Sequence, residues 1–350
     1  MKFALIHDSM AISSYYVKDK TAYAFKDGNF NNHQAEKDKP YVYHHSVSPE
    51  CYIAMQNLPF LFEEGCYLNW REWEELPDMD LDLIFFGVER NWNLDGSIKR
   101  PEVSVETLKK KYPNAKILSW IKEVWVGEHF NYQDPRHLGR IEHLKECDGV
   151  ITSGISKFPK LEVFDNLREN VDIPFYFIPQ PVNTDYFYDE FYSNQKEECL
   201  YAYLPNPHHR RGETYNFVSY LSNKYKIPVK HKELSEGQKF DYLSQKDFIK
   251  LWSSCAFHFN LDPIDWYPGN QVMQVAATGT INIGGENESH HILFPETAGC
   301  DTKYLEEIFV ELLNNPTKRF EVIQYSWNKL HEVFSFESVK KQIDDIYKEV

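Results

Sequence analysis

Two adjacent arginines beside two histidines, His208-His209-Arg210-Arg211-Gly212, stand out in a chain whose formal net charge is −15. A guanidinium is a planar fork that grips phosphate oxygens in pairs, and the neighbouring glycine lets backbone N–H groups approach the same anion. An exposed arginine pair also serves simply to solvate a loop, and both readings stay open at this level. A second stretch, Asp262-Pro-Ile-Asp-Trp-Tyr-Pro-Gly-Asn270, runs into a helix start. There the backbone N–H groups of Gly269, Asn270 and Gln271 can receive phosphate or sugar hydroxyls with a helix dipole behind them. Trp266 and Tyr267 offer stacking faces. Gln274, one turn beyond Asn270, is placed to meet a ribose. A third cluster, Gly284 to His291, supplies Glu286, Asn287 and Glu288 as candidate binders of hydroxyls, with His290-His291 read as packing or solvated surface.

These clusters need elements to hold them. Ala256 to Leu261 reads as a buried strand and Asn270 to Thr278 as a small-residue helix stopped by Gly279. Thr280 to Ile283 reads as a second strand, ending in Gly284-Gly285. Strand, loop, helix and strand make a βαβ unit whose loop and helix N-terminus open toward a ligand. Further strands are predicted at Phe3–Ile6, Asp82–Gly87, Ala115–Trp120, Gly149–Thr152, Phe175–Ile178, Leu200–Leu204 and Pro228–His231. Helices are predicted at Val105–Tyr112, His137–Cys147, Glu213–Lys224, Gln245–Ser254, Tyr304–Asn314 and Phe336–Lys348. Residues 18–50 read as irregular or edge-strand sequence. The first strand ends in His7-Asp8 without a glycine-rich phosphate loop. The βα alternation predicts two doubly wound α/β domains, with a Pro-rich hinge at Pro179-Gln-Pro181 and a polar linker from Asn183 to Glu198.

At 350 residues, 42% hydrophobic and 26% charged, the chain can bury a sizeable core. The acidic balance disfavours generic nucleic-acid or anionic-membrane binding, though a basic patch inside an acidic shell stays compatible with DNA. Six cysteines without a CxxC pair point away from a disulfide framework or metal cluster and toward a reducing cytosol. Met1 to Asp8 reads as too short and too quickly polar for a signal peptide, and no apolar run approaches the ~18 residues of a membrane helix. GxSxG, P-loop, HExxH and a strand-following GxGxxG are all absent, against serine hydrolase, P-loop NTPase, zinc protease and dehydrogenase readings.

In order along the chain, several segments resemble the GT-B glycosyltransferases, in particular the large retaining family 4 group. Cys147-Asp-Gly-Val-Ile-Thr-Ser-Gly-Ile-Ser156 resembles an "AD.VI..S" strand, and Ile178-Pro-Gln-Pro-Val-Asn-Thr-Asp-Tyr-Phe187 an "IPNGVDT..F" inter-domain signature. Arg211-Gly212 falls where the family carries a diphosphate-binding Lys-Gly. Phe248 to Phe259 resembles "LY..AD.FV.PS", Gln274 to Thr280 "EAMA.GTP", and Phe334-Ser-Phe336 with the following helix the family's closing segment. Where the pattern has two glutamates eight positions apart, this chain has Trp266 and Gln274, with Asp265 beside the first.

The resemblance implies two Rossmann-like domains facing across a cleft: 1–182 for the acceptor, 183–333 for the donor, and 334–350 as a helix crossing back to the first. It implies a metal-independent, retaining sugar transfer from a UDP- or GDP-sugar, with no prosthetic group. In that scheme Arg211, Asp265 and Glu286 act on the donor, with His129 as acceptor-side base and Glu128 or Glu123 as substitutes for it. His209, Arg210, Trp266, Gly269, Asn270, Gln271, Gln274 and Glu288 bind the donor. A modified DNA base, a protein and a glycan stand as acceptors. Two competing readings are a GT-B shell that only binds a nucleotide sugar or glycan, and a sugar-phosphate isomerase or epimerase on the same fold.

Overall fold

The computed structural model describes residues 1–7, 14–24, 55–69, 78–87, 104–121, 144–154, 172–202, 211–230, 245–261 and 270–350. They divide into two compact units. One holds the described residues up to Gln180 together with Val339–Val350; the other holds Pro181–Ser338.

In the first unit, continuous apolar runs form strands buried on both faces, as a sheet covered by helices requires. β1 (Lys2–His7) is followed by an antiparallel hairpin, β2 (Tyr15–Lys18) and β3 (Thr21–Ala24). Its turn residues, Asp19 and Lys20, both have positive φ, 50° and 61°, which suits the twist of a two-residue hairpin. β4 (Glu64–Asn69), β5 (Leu83–Gly87), β6 (Lys116–Ile121), β7 (Gly149–Ser153) and β8 (Phe175–Ile178) complete the sheet. Its order is β3-β2-β4-β1-β5-β6-β7-β8, parallel from β4 to β8. Strand order reverses between β1 and β5, where His7 packs in rather than opening outward. It is 4% exposed, lies 4.8 Å from the Trp120 ring, and sits so close to Gly87 that a Cβ there would stand 2.7 Å from its Cδ2. Helix α1 (Val105–Lys111) is capped by Ser104, whose Oγ accepts from Thr107 N.

The second unit starts with α2 (Thr184–Phe191), which buries Thr184, Phe187 and Phe191. The sequence reading treats this segment as part of a polar linker. Asn183 caps it, and Phe187 and Phe191, four residues apart on one buried face, anchor it, so packing overrides the polar composition. Then come β9 (Glu197–Ala202), α3 (Arg211–Tyr225), β10 (Val229–Lys230), α4 (Gln245–Ser253), β11 (Cys255–Phe259), α5 (Asn270–Ala277) and β12 (Ile281–Ile283). The strands lie β10-β9-β11-β12, all parallel. The order reverses between β9 and β11, the point at which doubly wound sheets open toward a ligand.

Helices α6 (Glu288–Leu293), α7 (Thr302–Asn314), α8 (Pro316–Phe334) and α9 (Phe336–Glu349) close the chain. The longest, α8, is absent from the sequence expectations. Its start carries a clear signal, Asn315 as cap and Pro316 as first residue, with Asn315 Oδ1 accepting from Lys318 N. Its buried stripe, Val322, Ser326, Leu330 and Phe334, recurs every four residues but includes a serine, which blurs the apolar period. α9 belongs to the first unit, so the chain returns there at its end. Lys116 Nζ donates to the Val350 carbonyl at 2.8 Å. Among the described residues no helix is long and apolar enough to cross a membrane, and no group of three or more His, Cys, Asp or Glu could hold a metal ion.

Candidate functional site

At the strand-order reversal of the second sheet, Ala202 and Phe259 sit side by side in register at the carboxyl ends of β9 and β11. From these ends the chain continues to the arginine pair and to Trp266. The arginine loop feeds α3, whose first turn is tied to the end of β11: Leu261 N donates to Thr214 Oγ1 at 3.1 Å, with Thr214 buried. Arg211 and Gly212 therefore belong to the first turn of α3 and not to a loop. That placement corrects the sequence reading, which starts the helix at Glu213. It sets the α3 N-terminus, whose first N–H groups have no partner within the helix, at the carboxyl edge of the sheet.

The second helix at this edge, α5, is pinned at both ends. Its C-terminus is a Schellman turn: Gly279 (φ 74°) donates to Ala276 O and Thr280 N donates to Val275 O, both at 3.2 Å. Lys196 Nζ donates to Thr278 O (2.7 Å) and to Ser253 O (2.6 Å), joining the ends of α5 and α4. Burial lowers the Lys196 pKa to about 8.

The N-terminus of α5 is held through side chains. Gln271 Nε2 lies 3.0 Å from His258 Nε2, and His258 Nδ1 lies 2.8 Å from Asn282 Oδ1. Asn282 Nδ2 donates to Gly284 O at 2.8 Å, so its Oδ1 is the acceptor and His258 carries its proton on Nδ1. His258 Nε2 must then accept from the Gln271 amide, which leaves Gln271 Oε1 on the other side. Desolvation by burial, only partly opposed by the Asn282 hydrogen bond, lowers the His258 pKa to about 4, so this neutral form is the one at physiological pH. Its ring stacks on Tyr201 at 5.5 Å and meets Trp252 edge-on at 5.7 Å. At the same helix start, Asn270 Oδ1 is shielded from water and finds no donor among the described residues. Gln274, one turn on, is 6% exposed.

The turn after β12 adds a third wall. Gly284 and Gly285 have φ of 95° and 98°, a region open to glycine. Gly285 exchanges two hydrogen bonds with Gly299 (2.9 and 2.8 Å), and the His290 ring lies flat against it. A Cβ on Gly285 would stand 2.4 Å from His290 Nε2. His290 is fully buried, neither ring nitrogen is bonded among the described residues, and desolvation lowers its pKa to about 3. Asn287 caps α6, its Oδ1 accepting from His290 N (3.1 Å), and is 4% exposed. Glu286 stays half exposed, 3.4 Å from His291, and Glu288 opens α6.

Of the residues singled out from sequence, Asn270, Gln271 and Gln274 gather on α5, and Glu286 and Glu288 follow β12. Arg211 is placed by its backbone in α3. His209, Arg210, Asp265, Trp266, Gly269 and the acceptor-side His129, Glu128 and Glu123 lie outside the described residues. Sequence reasoning misses His258 and Asn282. Both sit inside apolar strand runs, where a polar residue reads as an interruption, but they share one register pair (His258 with Asn282).

No protein-family model matches the chain, and no curated protein is similar to it in sequence. Solved structures do match. An OtsA apo structure covers 79% of this chain and 74% of its own, at 10% identity and a TM-score of 0.54. A trehalose-6-phosphate synthase, also OtsA, covers 79% and 73% at 10% identity and a TM-score of 0.51. An α-glucosyltransferase in complex with UDP-glucose and DNA containing an abasic site covers 76% and 80% at 12% identity and a TM-score of 0.48. At such identities the likeness is one of fold, and the fold is GT-B.

Proposed function

We propose that this chain is a glycosyltransferase that moves a sugar from a UDP- or GDP-sugar to an acceptor hydroxyl, with the donor held on its second unit. The observation that carries the reading is the attachment of two helix N-termini, α3 and α5, to β11 and its carboxyl end, beside the strand-order reversal between β9 and β11. Two helix starts beside an Arg210-Arg211 pair make a site for a diphosphate. As the bond to the sugar breaks, the diphosphate gains negative charge. The arginines and the N–H groups from Gly269 to Gln271 stabilise that charge without calling on a metal. Gln274 meets the ribose, Trp266 offers a stacking face, and Glu286 and Glu288 hold sugar hydroxyls. Asp265 supplies the carboxylate that the Trp266 position lacks. Retention of configuration follows if the departing phosphate itself takes the acceptor proton, and His129 is the base for the alternative, inverting course. A modified DNA base, a protein and a glycan are the acceptors to test.

The experiment is turnover of UDP- and GDP-sugars by wild type and Arg211→Ala, with DNA, protein and glycan acceptors offered separately. A fall on the order of 100-fold is expected for the variant, the usual cost of removing one charge-stabilising donor. Undiminished turnover refutes the role of Arg211. A second reading, a shell that binds the donor without transferring it, is favoured by Gln274, a neutral amide where the family pattern carries a carboxylate. It predicts a melting temperature raised by a nucleotide sugar with no transfer to any acceptor.

A further inference from the structure

At the opposite, amino end of the second sheet, Cys199 on β9 and Cys255 on β11 face each other with their Sγ atoms 2.7 Å apart. That is inside van der Waals contact for sulfur, and not far beyond the S–S bond length of about 2.05 Å. A register irregularity creates the contact. Cys255 pairs with Glu197 while Phe257 pairs with Leu200, so β9 carries one extra residue across this step. A bulge of this kind re-aims a side chain, and here it turns Cys199 toward Cys255. Both thiols are buried, at 1% and 0% exposure, beneath a surface ion pair. Lys230 Nζ bonds Glu197 Oε2 at 2.7 Å and Ser254 Oγ at 2.9 Å. Its charge reaches both sulfurs. The contact with the Cys255 thiol first, then the Lys230 ammonium, draws Cys199 below the ordinary thiol range, while Cys255 is pushed above it. The contact thus favours ionisation at Cys199 over Cys255, the asymmetry that a dithiol oxidation uses.

We propose that Cys199 and Cys255 form an oxidisable dithiol, which a peroxide converts into a disulfide clasping β9 to β11. The Cys199 thiol loses its proton to solvent, its sulfur attacks the hydroxyl oxygen of the peroxide and the O–O bond breaks, giving a Cys199 sulfenic acid; the other oxygen leaves as hydroxide or alkoxide and takes up a solvent proton to become water or an alcohol. The Cys255 thiol then attacks the sulfenic sulfur. The S–S bond forms, the S–O bond breaks, and a second water departs with the Cys255 proton. Two thiols are oxidised and one peroxide is reduced. The pair lies at the end of the sheet away from the candidate donor site, so it is independent of the proposed function.

The test is hydrogen peroxide treatment of the full chain, followed by intact mass measurement and non-reducing peptide mapping. The expected product is a Cys199–Cys255 cross-linked peptide, a mass lower by about 2 Da and an upward shift in melting temperature, all reversed by dithiothreitol. In Cys255→Ser, no bridge forms and dimedone traps a sulfenic acid on Cys199. Cys66 and Cys147, whose pKa values burial pushes up to about 12, stay reduced and serve as internal controls. Oxidation confined to Cys300, or a bridge joining any other pair, overturns the proposal. So does oxidation of Cys199 to sulfinic acid in wild type without a bridge. If Cys255→Ser fails to fold, the wild-type peptide map alone decides.

Discussion

Gln271 Nε2 lies 3.0 Å from His258 Nε2, so the first turn of α5 is bonded through side chains to the middle of the sheet beneath it. A helix start that would otherwise fray is held by a neutral imidazole that itself rests on Asn282. His258→Phe preserves the ring and its stacking on Tyr201 but strands the Gln271 amide and Asn282 Oδ1. The expected loss is about 1–3 kcal/mol of stability, the cost of buried polar groups left unpaired. Urea unfolding measures it, and an unchanged midpoint would remove His258 from this role.

Acid should act through the same imidazole. His258 and His290 have pKa values lowered from 6.5 to about 4 and about 3. Between pH 6.5 and 4 the unfolded chain therefore binds protons that the folded chain refuses. Stability is full above pH 6.5 and falls as the pH drops toward 4, with a slope of up to about 1.4 kcal/mol per pH unit for each histidine. Melting temperatures across this range check the sign. The His258→Phe slope should be the shallower, and equal slopes would refute the assignment to His258.

How much of this was legible in the sequence follows from period and punctuation. The βαβ unit from Cys255 to Ile283 was readable because its strands are short apolar runs and Gly279 stops its helix, where a φ of 74° makes glycine necessary. Helix α2 was hidden under the composition of a linker; only its cap, Asn183, and the spacing of Phe187 and Phe191 betray it. Helix α8 was hidden by Ser326 in its stripe. At the candidate site the helix start at Asn270 was legible, because Pro268-Gly269 punctuates the sequence just before it. The His258–Asn282 pair was not, because contact between strands depends on register, and one chain read in isolation carries no register.

Gly285→Ala tests the third wall of the site. At φ 98° an alanine is strained by about 1–3 kcal/mol. Its Cβ would also press into the His290 ring, adding about 1–3 kcal/mol of overpacking. The double variant Gly285→Ala/His290→Ala should regain none of the backbone term, and it exchanges the clash for the cavity left by the ring. Denaturant midpoints of wild type, both single variants and the double variant separate the contributions. Additive losses would show that His290 and Gly285 do not press on each other.

The last helix offers a test that distinguishes the two units. Val339, Ile343 and Ile346 form one buried stripe of α9, at spacings of four and three, and this stripe belongs to the first unit. Ile343→Asp places a carboxylate where the side chain is fully buried, and a loss above about 3 kcal/mol is expected from an unpaired buried charge together with lost packing. Lys341→Asp, on the exposed face of the same helix, should change stability by less than about 0.5 kcal/mol. Because α9 packs with the first unit, the damage should fall there. Limited proteolysis of Ile343→Asp, read by mass, should degrade the first unit while a fragment close to residues 181–338 persists. Simultaneous loss of both units, or resistance equal to wild type, would contradict the assignment of α9 to the first.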